Sequence, residues 1–278
     1  MRHQYFFLNL EKRFSLVLLL VLPFIISGQK GWEVGGWMGT AHYFGDLNTS
    51  IRVDEPGPAG GIMVRYNFNN RLCLKGAFSL ARVHGDDARS GNTFEKNRNL
   101  SFRTGIADWS QTLEFNFLEY VHGSRYNNFT PYLLGGLNIF YFQPSALYND
   151  KRYALRKLGT EGQSLGKEYP LFNLGGILGL GFKWDINRDL SINIELSHRN
   201  LLTDYLDDVS GVYADKAFLQ AVRGEVSAAL SDRSLTPGFG DTDRQRGDRT
   251  NKDEFVFFGI GIVRYFGDIA CPEISKIR

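Results

Sequence analysis

Leu190-Ser-Ile-Asn-Ile-Glu-Leu196 decides the fold. Its apolar residues fall at Leu190, Ile192, Ile194 and Leu196 and its polar ones at Ser191, Asn193 and Glu195, a strict period of two. Only an extended chain sends alternate side chains to opposite faces, so this is a strand with one apolar and one polar wall. The pattern recurs along the chain. Residues 109–117 set Leu113, Phe115 and Phe117 against Thr112, Glu114 and Asn116. Residues 174–186 set Leu178, Leu180, Phe182 and Trp184 against Gly179, Gly181, Lys183 and Asp185. Ile62, Val64, Tyr66 and Phe68 oppose Gly61, Met63, Arg65 and Asn67, and Val256, Phe258, Ile260 and Ile262 oppose Phe255, Phe257, Gly259 and Gly261. Weaker alternation over 32–43, 72–83 and 130–142 brings the strands to eight.

Most of these segments run to about 11–13 residues, against about five or six in a globular strand. At a rise of ~3.3 Å per residue and a tilt near 40°, roughly ten residues cover the ~25 Å apolar band of an outer membrane. The connections after the first strand alternate long and short: 44–58, 69–71, 84–108, 122–129, 143–172, 187–189 and 200–254. Short periplasmic turns and long extracellular loops segregate in this way in outer-membrane barrels, whereas a soluble sandwich has no reason to do so. The predicted fold is all-β: an OmpA-like, eight-stranded antiparallel transmembrane β-barrel with long extracellular loops. An even strand number leaves both ends of the mature chain in the periplasm.

Composition agrees. Among 278 residues there are 31 glycines and 14% aromatics, a bias of β architectures. Hydrophobic residues at 43% and charged at 22% fit neither a disordered chain nor a multi-span helical protein. A net charge of +2, from 32 basic and 30 acidic residues, excludes a dominant nucleic-acid partner. Two cysteines are too few for a disulfide scaffold or a four-cysteine zinc site. Arg2, His3, Lys12 and Arg13 precede an apolar run over 14–26 and then Ser27-Gly28-Gln29, the pattern of a signal peptide over 1–28. The barrel follows over 29–266, with a periplasmic tail over 267–278.

Alternation sends Glu33, Arg65, Lys75, Glu114, Lys183, Asp185 and Glu195 into the lumen. An eight-stranded barrel is just wide enough for side chains to fill it. Three cations facing four anions there form a paired plug rather than a channel or a catalytic site. Trp32, Tyr66, Phe68, Phe182, Trp184 and Phe266 fall at the rims as girdle residues. No cofactor is expected. Asp204, Asp207 and Asp208 offer hard oxygens but lack the spacing of a calcium loop, and solvated turns favour such residues. Residues 159–163 have no lysine for a phosphate cradle. Arg246-Gly-Asp248 is a triplet that polar loops produce by chance. A lipid-modifying enzyme would need a histidine paired with a serine or carboxylate at the outer rim. His42 and His198 lie there, with Ser197 and Asp46 near in sequence, but in the lipid-facing register and without a nucleophile motif. The expectation is no enzyme and no small-molecule substrate. Ala214, Ala217, Phe218, Ala221 and Val222 predict a surface helix within 212–231 that buries this stripe over the barrel mouth, and the polar stretch 236–253 reads as mobile.

Several strings resemble the PorG family, small outer-membrane barrels of the Bacteroidota named for a component of the type IX secretion system. They are Tyr43-Phe-Gly-Asp-Leu47, Pro131-Tyr-Leu-Leu-Gly-Gly-Leu137, Gly159-Thr160-Glu161-Gly162-Gln163, Thr203-Asp204-Tyr205-Leu206-Asp207-Asp208-Val-Ser210, and Leu230-Ser-Asp-Arg233 with Arg246-Gly247. The resemblance covers roughly 32–266, and the strings at 159–163 and 203–210 are the more specific. It implies a non-enzymatic role: attaching the periplasmic ring of the lipoprotein PorK and its partner PorN to the outer membrane. Paralogues with the same barrel need not share that job, so a general structural or adhesive barrel is the alternative. Cys73 opens the third strand and Cys271 sits in the tail, both exported and able to oxidise. Either they bridge each other, or Cys271 crosslinks the barrel to a ring subunit.

Overall fold

The computed structural model describes residues 28–269. Of the predicted signal peptide over 1–28 all but Gly28, and of the predicted tail over 267–278 all from 270 onward, Cys271 included, lie outside the described residues. The strands are β1 (Gly31–Phe44), β2 (Gly57–Asn67), β3 (Leu72–Asp86), β4 (Ser101–Asn116), β5 (Phe129–Tyr148), β6 (Lys151–Ala154), β7 (Phe172–Asp185), β8 (Leu190–Leu201) and β9 (Glu254–Gly267). Their order is β4-β3-β2-β1-β9-β8-β7-β5, all antiparallel, and a β4–β5 ladder joins the two ends. The eight long strands are therefore a closed barrel with no edge in its wall. β6 is extra. It pairs only with the far end of β5, through a turn whose Asn149 and Asp150 have φ of 48° and 59°.

The outer wall is apolar around the whole circumference. Met38, Ile62, Leu80, Leu113, Leu137, Leu178, Leu196 and Ile260 are between 43% and 75% exposed. At the short-turn end an aromatic rim follows, with Trp32 against Tyr66 at 4.9 Å, Tyr66 against Phe68 at 5.2 Å and Phe129 against Phe182 at 5.8 Å. Towards the long-loop end the polarity of the strands inverts. In β4, Phe102, Thr104 and Ile106 turn inward and are buried while Arg103 and Gly105 turn outward. Phe140, Phe142, Phe255 and Phe257 are likewise buried inside. This inversion is why apolar-out alternation located β4 only from Trp109, although the strand begins at Ser101.

Over this end the long connections build a cap containing helices α1 (Thr93–Arg98), α2 (Leu155–Leu158), α3 (Lys216–Arg223) and α4 (Glu225–Ser231). Leu47, Leu100, Leu206, Val209 and Leu230 of the cap pack with the inward phenylalanines in one apolar core. Two sequence expectations are corrected here. A helix does cover the mouth, but it breaks at Gly224 (φ 91°) into α3 and α4. The apolar residues that bury are Leu219 and Leu230, while Ala217, Phe218, Ala221 and Val222 face outward. The second correction concerns 236–253. Arg246 and Asp253 are only 2% and 1% exposed, and Val212 pairs with Gln245, so this stretch is pinned to the cap. The connection between β4 and β5 also differs. It starts at Phe117 rather than His122 and folds back to close the floor of the barrel.

Candidate functional site

Glu33 on β1, Arg65 on β2 and Lys75 on β3 are direct cross-strand partners on the inner wall. Glu114 on β4, Lys183 and Asp185 on β7 and Glu195 on β8 turn to the same axis. Arg65 pairs with Glu33 and, through Nε, with Glu114 at 2.8 Å. Glu114 also receives Lys75 at 3.2 Å and Lys183 at 2.6 Å, so one fully buried carboxylate answers three cations. Lys75 reaches on to Glu195, which accepts the Tyr132 hydroxyl at 2.8 Å. On the other side Glu33 lies 3.1 Å from His122 Nε2, and His122 Nδ1 lies 3.1 Å from Asp185, which accepts from Tyr120. The seven lumen charges thus form a single network. Two of its links, His122 and Tyr120, come from the floor connection, where strand alternation gives no inward or outward sign. Gly181 makes room for it, since a Cβ there would stand 2.4 Å from the Tyr132 ring.

Above the network sits a cavity of about 30 Å³, lined in part by Ser79, Thr112, Asn193, Ser197 and Arg199. Ser79 Oγ, Thr112 Oγ1 and both amide atoms of Asn193 have no protein partner, and the volume suits about two waters. Arg199 then pairs with Asp108 at 3.4 Å and lies 4.0 Å over the Phe257 ring, where the apolar section begins.

At the mouth, the two more specific loop strings lock together. Thr160 and Tyr169 donate to the two carboxylate oxygens of Asp208 at 2.5 and 2.6 Å. Glu161 accepts the backbone N–H groups of Ser210 and Gly211 at 2.9 Å, and Arg246 at 3.1 Å. Arg246 also donates to the Asp208 carbonyl at 2.6 Å, so the first residue of Arg246-Gly-Asp248 is a buried internal clamp. Gly159 (φ 55°) and Gly162 (φ 78°) let the first string turn, and the Gln163 carbonyl accepts from Arg223. Within the second string, Thr203 Oγ1 accepts from the Tyr205 N–H, and the Tyr205 ring stacks on Tyr169 at 4.6 Å. The Leu206 N–H donates to Asp253 and its carbonyl accepts from Thr104 of the wall. Asp207 accepts from Tyr43, which also contacts Asp253. Asp204 is buried beside them.

This acidic cluster is costly to ionise. Burial, and then the neighbouring Asp253 and Asp46, push the Asp207 carboxyl well above the usual carboxylate range, and burial does the same for Asp253. Burial raises Asp46 to about 7 and Asp208 to about 6. Arg98 offsets part of that charge by bonding Asp87 and the carbonyls of Asp46 and Arg246. Among the described residues, no group of three or more His, Cys, Asp or Glu side chains is placed to hold a metal ion.

The rim histidines stand apart from both clusters. His42 and His198 flank Val256 on the outer wall, one from each neighbouring strand. His198 pairs with Glu254 at 2.8 Å and His42 lies 3.1 Å from Thr40 Oγ1. Ser197 points the other way, into the lumen, where Arg199 donates to it, and Asp46 belongs to the cap. Cys73 is a free, buried lumen thiol, with Lys183 Nζ at 3.8 Å.

Residues 11–226 match a family model described as a domain of unknown function, DUF6089. No curated protein matches the chain. Among solved structures, it is similar to the attachment invasion locus protein Ail of Yersinia pestis, at 12% identity and a TM-score of 0.38 over 87% of this chain and all of that one. It is similar to Neisserial surface protein A at 10% identity and a TM-score of 0.43, over 86% and 100% of the two chains. It is also similar to the outer membrane protein OprG of Pseudomonas aeruginosa at 12% identity and a TM-score of 0.43, over 87% and 99%.

Proposed function

The chain belongs to the DUF6089 family, and within it we propose the role of a non-catalytic outer-membrane barrel that anchors a periplasmic ring of the type IX secretion system, PorK with PorN. One observation carries the non-conducting part of this reading. The interior is blocked twice, by a charge network in the lower lumen and by an apolar core beneath the cap. Such a barrel offers its surfaces, not its lumen, to other molecules. The apolar outer wall supports the membrane location, with outer-membrane lipid as its surroundings. The resemblance of the strings at 159–163 and 203–210 supports the link to the PorG family, and in this chain the two strings form one structural unit.

Affinity purification of the tagged protein from native membranes tests the proposal. PorK and PorN should be recovered with it, and removal of residues 268–278 should reduce that recovery and secretion together. Recovery of the intact barrel without ring proteins would leave the general structural or adhesive barrel as the function. Substituting His42 and His198 by Ala should leave the outer-membrane lipid profile unchanged; an altered profile would restore the lipid-modifying reading.

A further inference from the structure

On one side of the outer wall, just beyond the apolar band at the long-loop end, three arginines gather. Arg82 of β3 stands opposite Gly105 of β4, and the next outward pair is His84 opposite Arg103. Arg152 of β6 stands opposite Leu147 of β5, which is half-exposed on the outer face. None of the three arginines has an ion-pair partner among the described residues, unlike the buried arginines of the lumen and cap. Burial, with the like charges of Arg103 and Arg82, makes the Arg152 guanidinium harder to keep protonated than usual. Two carboxylates share the groove and are otherwise engaged: Glu55 holds Arg89 at 2.5 Å, and Asp86 accepts the Ala88 N–H at 3.0 Å.

The arginines overlook two adjoining grooves. The upper one, of about 240 Å³, includes His84, Arg103, Leu147 and Arg152 in its lining. The lower one, of about 530 Å³, runs down into the apolar band between Leu80, Ala107 and Tyr141 and ends at Arg82. It exists because Gly105 and Ala107 carry little or no side chain there; a Cβ at Gly105 would meet nothing within 4 Å. Guanidinium groups match phosphate oxygens in planar, bidentate pairs, and basic pockets at the membrane surface hold lipid headgroups. An apolar trough directly below such a cluster suits an acyl chain.

We propose that this paired groove binds one phosphorylated glycolipid of the outer leaflet, of the lipid A type, with its phosphates on Arg82, Arg103 and Arg152 and an acyl chain lying over Gly105. The choice of leaflet rests on the outer-membrane placement proposed above, whereas binding itself is tested with isolated components. The mature barrel, folded in phosphatidylcholine nanodiscs, is titrated with bis-phosphorylated lipid A, with dephosphorylated lipid A and with phosphatidylglycerol, and adducts are counted by native mass spectrometry. Bis-phosphorylated lipid A should give a saturable one-to-one adduct. The Arg103→Glu, Arg152→Glu double variant should weaken it at least about tenfold, as expected for lost charge-assisted contacts. Gly105→Leu should weaken it as well, by filling the trough while leaving the arginines in place. All three substitutions are at exposed positions, and heat-modifiable gel migration confirms that the variants fold. Equal binding of dephosphorylated lipid A or of phosphatidylglycerol, or undiminished binding by the folded double variant, would overturn the proposal.

Discussion

The lower and upper halves of the barrel interior are closed by opposite chemistry. Below, the wall's own side chains meet as ions: Glu114 with Arg65, Lys75 and Lys183, and Glu33 with Arg65. Above, Phe102, Phe140, Phe142, Phe255 and Phe257 form an apolar lining, and loop residues such as Leu206 and Leu230 fill it. The cause lies outside the barrel. Where the outer face is greasy, alternation leaves polar residues for the inside, and in so narrow a tube their charges must pair. Beyond the apolar band the outer face carries Arg82, Arg103 and Gln143, so alternation turns apolar residues inward and the mouth packs like the core of a soluble domain.

The largest effect should come from breaking the lower half. Glu114→Gln leaves three buried cations short of their shared carboxylate, and removing one partner of a buried pair costs about 3–5 kcal/mol. Urea titration of folded barrel, followed by heat-modifiable migration, should show that loss; a change under about 1 kcal/mol would mean that the network contributes no more than surface pairs do.

Next in size, Arg246→Met strips the clamp from Glu161 and Asp208. The cap should lose roughly 2–4 kcal/mol of local stability. Limited proteolysis within 202–253 should accelerate, while the wall keeps its migration. If wall and cap weaken together, the two halves are one cooperative unit.

Solution pH sharpens the contrast further. Asp46, Asp207, Asp208 and Asp253 have carboxyls raised above their unfolded range, chiefly by burial. A raised acid holds its stabilising, protonated form below the unfolded value near 4 and loses that contribution as pH climbs through the folded one. With Asp208 at about 6 and Asp46 at about 7, these two groups should hold the cap tightest at about pH 4 and below, and their contribution should be lost progressively between about pH 4 and 7. Hydrogen exchange at the Leu206 and Val209 amides measures this, and Asp207→Asn should flatten the profile. Protection factors, corrected for the base-catalysed rise of the intrinsic exchange rate, that are higher at pH 8 than at pH 5 would contradict it.

The smallest effect belongs to α3. Phe218 is 54% exposed and touches neither plug, so Phe218→Ser should shift cap proteolysis by no more than about 0.5 kcal/mol. A larger loss would show that the outward stripe is covered in the membrane-bound protein.

Legibility in the sequence followed the same division. Strands with apolar-out alternation, such as 190–196, could be read directly, and the same alternation places Glu33, Arg65 and Lys75 on the lumen side. The upper part of β4 was hidden because its alternation is reversed, and β6 because four residues carry no period. His122 and Tyr120 lie in a turn, where no alternation applies. The strings at 159–163 and 203–210 were visible as strings, but not as partners, because nothing local pairs Glu161 with the Ser210 N–H.

By itself the sequence determined an eight-stranded wall with one greasy and one polar face, since a period of two is written residue by residue and needs no knowledge of distant neighbours. Only the tertiary structure decided how the tube is stoppered at its mouth, which loops besides 212–231 do the stoppering, and which charges meet. Those facts depend on contacts between segments far apart in the chain, such as Arg98 with the Arg246 carbonyl or Thr160 with Asp208, and on where the outer surface passes from lipid to water.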